Sequence, residues 1–329
     1  MKTRSLFQVF ICILLGWGMI SCNLEKKTLP EARGKQGEVV VVINRDLWTG
    51  ATGDSIRRYL AYHVVGLPYG EPMFSLLQQD ALSGFTQQVR NILMITIDPG
   101  YESGMLIPKT NAYARNQLVL NVGAPSADSV VACIDRYKDV IVAKFLENDR
   151  NSYIDYYSRV VDNKFTEKVQ EKFQVDITIP KEYSLDVDKD DFLCFAREER
   201  DMSMGILLWK EPYVSKEQLD TEQLIMKMNS MTKKYITGDP PGSYMADEPM
   251  VSPVVKRYMK KEVYCVQLNG LWQMENGFMG GPYVNVSIVD EKRGQIVTGM
   301  GYVFFPRKEK RDYVRQLEAI LYTMVPSVN

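Results

Sequence analysis

The chain has 329 residues, 45% of them hydrophobic, with 40 lysines and arginines against 41 acids and a formal charge of -1. That balance excludes the one-sided basic face a nucleic-acid binder needs, and the apolar fraction excludes a disordered chain. A single histidine, His63, excludes every metal or catalytic site that needs two, the common zinc hydrolases among them.

Lys2 and Arg4 precede an uncharged apolar run from Leu6 to Ile20, which meets Ser21-Cys22. A positive start, a run shorter than the roughly 18–20 residues of a spanning helix, and a small residue before the cleavage point make a secretory signal. Met19-Ile20-Ser21-Cys22 reads as a lipobox, in which Cys22 is acylated and becomes the first residue of the mature chain. Residues 1–21 are therefore expected to be removed, and residues 22–37, polar and containing Pro30, Gly34 and Gly37, to tether the lipid to the folded body. Acyl chains contributing about 0.8 kcal/mol per buried methylene would hold the protein at a membrane. Cleavage leaves 38 basic against 41 acidic residues.

Glu38 to Ile43 is a β-branched run that predicts a buried strand. Asp54 predicts the cap of a helix from Ser55 to about Val65, with His63 in its last turn, where a histidine complements the helix dipole. Met73 to Gln78, Asn91 to Ile97 and Gln117 to Val122 predict further strands. Ser126 opens a long helix with the stripe Val130, Ile134, Tyr137, Ile141 and Phe145, and a second helical stretch follows from about Ser152 to Phe173. Alternating strands and helices predict an α/β domain over residues 38–174.

From Val175 the pattern changes. Tyr183–Val187, Phe192–Ala196 and Gly205–Trp209 predict consecutive strands of a meander. A helix over residues 216–235 and a loop over 238–253 follow, then strands at Val263–Leu268 and Val284–Ile288 and a returning strand over 296–305. A closing helix from Lys308 carries Tyr313, Leu317, Ile320, Leu321 and Met324 on one face. The expected architecture is α+β (mixed α/β): two domains, the second (175–329) an antiparallel meander sheet packed with helices.

Gly270 to Pro282 is the most unusual segment. Trp272, Phe278 and Tyr283 lie among glycines, and Glu275 and Asn276 could orient a ligand stacked on the rings. The ordinary alternative is a strand connection whose aromatics fill the core. Trp48, in Trp48-Thr49-Gly50, is a second candidate; the loop around it lacks the spacing and lysine of a phosphate loop. Cys133, Cys194 and Cys265 remain after Cys12 is removed and Cys22 lipidated. They read as small buried hydrophobes, with a Cys194–Cys265 disulfide as the alternative. Met202, Met204, Met226, Met228, Met231, Met245 and Met250 form no tight copper motif and read as core filling. Asp190/Asp191 and Asp247/Glu248 are the carboxylate pairs a glycoside hydrolase would draw on.

Several segments together resemble an uncharacterised family of Bacteroidota lipoproteins, domain of unknown function 4837. They are Gly37–Val42 with Trp48–Gly50, Leu67-Pro68 with Glu71–Phe74, Arg90–Ile92, Ile179–Tyr183, Gly270–Trp272 with Gly280–Pro282, and Pro306–Arg311 leading into Leu317-Glu318. The match would cover nearly all of the mature chain, and it implies a lipoprotein without an assigned activity. The second half is also loosely similar to small α/β sandwiches of the PsbP and Mog-one type. In that phylum an acidic cluster after the cysteine marks surface export; Glu25 stands alone beside Lys26 and Lys27, so the expected place is the outer membrane, lipid-anchored and facing the periplasm. The same resemblance makes Ser55 and Ser129, each in an Asp-Ser-apolar tripeptide, candidates for O-glycosylation.

The leading expectation is a non-enzymatic envelope lipoprotein that binds a partner protein or glycan, with the membrane as its other partner. A carboxylate-based hydrolase of envelope glycan and a periplasmic small-molecule binding protein are the alternatives. Neither cofactor nor metal is expected. A buried acid pair in one cleft would mark the hydrolase, a deep apolar pocket the ligand binder, and an exposed aromatic patch the partner module.

Overall fold

Four valines in succession make β1 (Glu38–Val42) apolar on both faces, which is what a central parallel strand requires. Val39 and Val41 enter the core beneath the helices, while Val40 and Val42 pack with Val89, Ile92 and Val119 on the opposite face. The structure, a computed structural model, describes residues 29–328. The signal sequence and Cys22 lie outside the described residues.

After β1, Asn44 accepts the Asp46 backbone N–H at 2.8 Å and opens the short α1 (Arg45–Thr49); α2 (Ala51–Leu60) starts at once behind it. The helix thus begins ahead of Ser55, with Asp54 in its first turn instead of at its cap, and ends before His63. β2 (Ser75–Gln79), β3 (Asn91–Ile97), β4 (Met105–Thr110) and β5 (Leu118–Ala124) complete a sheet of order β2-β1-β3-β5-β4, parallel except for β4. β4 was not expected: it is an edge strand, mostly exposed and holding Pro108, and so has no apolar alternation to betray it.

Ser126 caps α3 (Ala127–Ser158), accepting the Ser129 backbone N–H at 3.3 Å. Its 32 residues, about 48 Å at 1.5 Å per residue, run straight through the expected break at Ser152. Val130, Ile134, Ile141 and Phe145 pack on the first sheet, whereas Tyr153 and Tyr157 belong to the core of the second. One helix is thereby shared by both halves. In α4 (Asn163–Phe173), Val169 and Phe173 also join the second core, although the expected boundary at 174 assigned this helix to the first domain.

A short β6 (Val175–Asp176) leads to β7 (Ser184–Lys189), β8 (Phe192–Glu199) and β9 (Met202–Pro212), then α5 (Thr221–Tyr235). β10 (Tyr244–Asp247), β11 (Val254–Lys260), β12 (Val263–Glu275), β13 (Gly280–Asp290) and β14 (Gln295–Phe304) precede α6 (Arg311–Tyr322) and β15 (Val325–Pro326). The second sheet is antiparallel, ordered β10-β12-β13-β14-β9-β8-β7 with β11 also on β12, so the expected mixed α+β architecture is what the chain adopts. Side chains alternate: Leu193, Phe195 and Val297 face α4 and α6, while Phe192, Cys194 and Ile296 face α5. Gly301 lets α6 approach closely; a Cβ there would meet Leu317 Cβ at 2.8 Å.

Candidate functional site

The two halves meet through buried charge. The segment between α2 and β2 reaches across to α6, whose own first residues supply no side-chain cap. Glu71, 3% exposed, accepts the backbone N–H groups of Lys310 and Arg311, each at 2.8 Å. A carboxylate distant in sequence thus satisfies donors that a helix start leaves orphaned and complements its dipole. Arg311 donates in return to the Pro72 carbonyl at 2.6 Å, and Arg315 to the Met73 carbonyl at 2.5 Å.

Asp149 of α3 is buried behind them. It accepts the Gly37 backbone N–H and the Asn91 amide, both at 2.8 Å, and lies 3.7 Å from Arg315 Nη1. Desolvation raises its pKa, opposed first by the Arg315 charge and then by those hydrogen bonds; desolvation likewise lowers that of Arg315. Gly37 sits at φ +78°, where a Cβ would come within 2.8 Å of both the Arg311 and Arg315 guanidinium nitrogens.

Beside this cluster, α3, β11 and α6 enclose a cleft of 370 Å³ whose walls include Arg150, Lys256, Tyr258, Arg315, Glu318 and Tyr322. The Tyr258 and Tyr322 rings stack with centroids 6.3 Å apart, and the Arg150 guanidinium lies 4.0 Å above Tyr322. Glu318 Oε1 accepts from Gln267 at 3.0 Å and Asn269 at 2.8 Å. A second cavity of 200 Å³ shares Leu146, Lys256, Arg315 and Glu318 with the first and is walled by Tyr62, Val64, Val65, Leu67 and Val254. Arg315 Nη1 and Arg150 Nε are buried without a hydrogen-bond acceptor.

Of the residues singled out in the sequence, Trp272 and Phe278 line one groove and Tyr283 lines the smaller cavity, while the others lie apart. Trp272 is 2% exposed, its ring edge-on to Tyr302 at 5.7 Å and its N–H 3.4 Å from the Val303 carbonyl. Tyr283 is also buried, donating to Asp247 at 2.7 Å. Glu275 ends β12 and accepts from Gln273 at 2.9 Å, and Asn276 opens the turn to β13 at φ +57°. Phe278 projects fully into solvent at the rim of a 330 Å³ groove that also holds Pro68, Tyr69, Glu248, Gln273, Phe304 and Pro306. Trp48 is half-buried under Arg57, 4.5 Å from the ring. Ser55 is buried and donates to Asp135 at 3.1 Å, which leaves its oxygen no open approach; Ser129 lies part-exposed in the first turn of α3.

His63 is exposed beyond the end of α2, so the helix-dipole reading does not hold. Cys133, Cys194 and Cys265 are free and buried, and Cys194 and Cys265 face opposite sides of the sheet, which rules out a bond between them. Met202 and Met204 lie on one side of that sheet and Met228, Met231 and Met245 on the other. Asp191 is tied to Lys234 and Tyr235, and Asp247 to Tyr283.

None of Glu71, Asp149, Arg150, Lys256 or Arg315 was a candidate site residue in the sequence, although Glu71 opens one of the segments that carry the resemblance. Asp149 did leave a trace, because it continues the apolar stripe Ile141, Phe145 at the same spacing of four, where an acid must be buried. Arg315 between Val314 and Leu317 is the matching trace in α6.

Residues 162–323 match the family model described as Domain of unknown function (DUF4837), and residues 32–158 match that described as Domain of unknown function (DUF8532). The chain carries two domains of unknown function. The resemblance read from the sequence over nearly the whole mature chain is thus confined to its second half, and the segments quoted from Gly37 to Ile92 fall within the other domain. The division between the two matches lies at the end of α3, ahead of α4. No curated protein matches the chain. Among solved structures, LpqN, involved in cell envelope biogenesis of Mycobacterium tuberculosis, is similar at a TM-score of 0.28 and 11% identity, over 46% of this chain and 82% of that one. Human STARD10 is similar at 0.23 and 10%, over 49% and 79%. Likeness at that level carries no argument about function. No helix among the described residues is long and apolar enough to cross a membrane.

Proposed function

We propose that this is a lipid-anchored, non-enzymatic binding protein of the bacterial cell envelope, held through Cys22 at the outer membrane and facing the periplasm. Its ligand site is the cleft between the halves. The support for the anchor is the lipobox, and for the side of the membrane the lone Glu25. The observation that carries the binding reading is a 370 Å³ cleft, a size typical of small-molecule sites, lined by Arg150, Lys256 and Arg315, of which Arg150 and Lys256 make no ion pair among the described residues. The acids that line it, Asp149 and Glu318, are already engaged by Gly37 and Asn91 and by Gln267 and Asn269, which speaks for binding over hydrolysis. Native mass spectrometry of the protein isolated from its own envelope is expected to show a non-covalent adduct. Leu146→Trp, which fills the junction of the two cavities, is expected to abolish it. An adduct that persists in a folded Leu146→Trp variant would place the site elsewhere.

The groove at Phe278 favours a second reading, an envelope-glycan contact. Phe278 and Tyr69 expose ring faces on which sugars stack, with Glu248 and Gln273 beside them as hydrogen-bonding groups. Retention on isolated sacculi should fall in Phe278→Ala and Tyr69→Ala, and equal retention of both variants would remove this reading.

A further inference from the structure

We infer that the cleft takes an amphiphile with one anionic head, carboxylate or phosphate, and a short apolar tail. The inference rests on the binding-protein reading and names the ligand class. The larger cavity is faced by three cations, Arg150, Lys256 and Arg315, and by two acids, Asp149 and Glu318. Both acids already accept hydrogen bonds. Asp149 takes two hydrogen bonds besides its contact with Arg315, and Glu318 takes two amide donors on one oxygen. Arg150 and Lys256 make no ion pair among the described residues.

Arg315, its side chain 8% exposed, lines both cavities, and its Nη1 lacks a hydrogen-bond acceptor, as does the buried Nε of Arg150. Arg150 and Lys256 face the cleft with positive charge that no ion pair among the described residues neutralises, and an anionic head supplies that counter-charge. Lys256 at the rim adds attraction for the same charge. The smaller cavity shares Leu146, Lys256, Arg315 and Glu318 with the larger one, and away from these its wall carries Val64, Val65, Leu67, Val254 and Val314, with Asn269 and Arg311 as its other polar members. It has the chemistry of a tail site. A metal cation would meet three like charges in the larger cavity.

The test uses the full mature chain with Cys22→Ser, so that no detergent is needed, and titrates octanoate, octyl phosphate, octanol and acetate by calorimetry. Octanoate and octyl phosphate are expected to bind at one site, with octanol and acetate at least tenfold weaker. The stronger of the two anions identifies the head as that of a fatty acid or of a phospholipid. Lys256→Gln, at an exposed position, and Arg150→Gln are each expected to weaken both anions several-fold and to leave octanol unchanged. Octanol binding as tightly as octanoate would overturn the anionic head while leaving a binding protein. Acetate binding equally would overturn the tail. Unchanged anion affinity in both variants would place the head elsewhere. Binding of none of the four, with no native adduct, would overturn both this inference and the reading beneath it.

Discussion

Asp149 and Arg315 face each other at 3.7 Å from opposite halves of the chain, close enough to attract yet without a hydrogen bond between them. Each is held in place by other groups, Asp149 by Gly37 and Asn91 and Arg315 by the Met73 carbonyl. The pair therefore acts as a joint between preformed pieces. Removing one member strands the other in a desolvated site, so Asp149→Ala should destabilise the fold by about 3–5 kcal/mol, and replacing both with apolar residues should cost less than the sum of the single changes. Urea unfolding of Asp149→Ala, Arg315→Met and the double variant measures this. Strictly additive losses would show that the two charges do not communicate.

Trp272 and Phe278 come from the same segment and have opposite environments. Trp272→Ala empties a buried site packed against Tyr302 and should cost about 3–5 kcal/mol. Phe278→Ala removes a ring that touches solvent alone and should change stability by no more than about 0.5 kcal/mol. Thermal unfolding of the two variants separates core from surface. A comparable loss in both would mean that Phe278 packs against something in solution.

How much of this was readable beforehand follows from where the information sits. β1 and α6 announce themselves because their apolar residues repeat at the period of a buried strand or helix face, and the α+β class follows from such elements. β4, β10 and β11 do not: they are edge strands, β4 is mostly exposed, and lysines and a proline interrupt β4 and β11. Trp272 and Tyr283 are large and set among glycines, the look of a ligand loop, but β12 runs on to Glu275 and β13 starts at Gly280, and the two strands turn the rings into the sheet's core. The cleft was invisible for another reason. Its contacts join residues 112 positions apart, as in Gly37–Asp149, or 242 apart, as in Met73–Arg315, and no local pattern records which acid will meet which base.

Lys260 gives the fold a particular response to alkali. Its ammonium is buried at the end of α6, donating to the Tyr322 and Met324 carbonyls at 2.5 and 2.6 Å. Desolvation pushes its pKa down to about 8 from an ordinary value of 10.5. Between those values the unfolded chain binds more protons than the folded one, so this residue's contribution to stability rises with pH across the window and is lost as pH falls through about 8. Unfolding midpoints at pH 7.5, 9 and 10.5, taken as the difference between wild type and Lys260→Met, should move in favour of wild type with increasing pH. A difference that stays flat would mean that Lys260 titrates as an exposed lysine.

Glu71 tests whether the first half holds the start of α6 in place. Its two oxygens accept one backbone N–H each, from Lys310 and Arg311, and hydrogen bonds to a charged group are worth about 1.5–3 kcal/mol apiece. Glu71→Ala should accordingly destabilise the fold by about 2–4 kcal/mol, discounted because water can reach a frayed helix start. The sharper readout is local: hydrogen exchange at the Lys310 and Arg311 amides should accelerate well before the rest of α6 responds, because only those two donors lose their acceptor. Glu71→Gln keeps one acceptor oxygen and should speed exchange at one amide more than at the other. If both amides keep their protection in Glu71→Ala, the helix start is held by its packing on β13 and β14, and the contact from Glu71 contributes nothing to it.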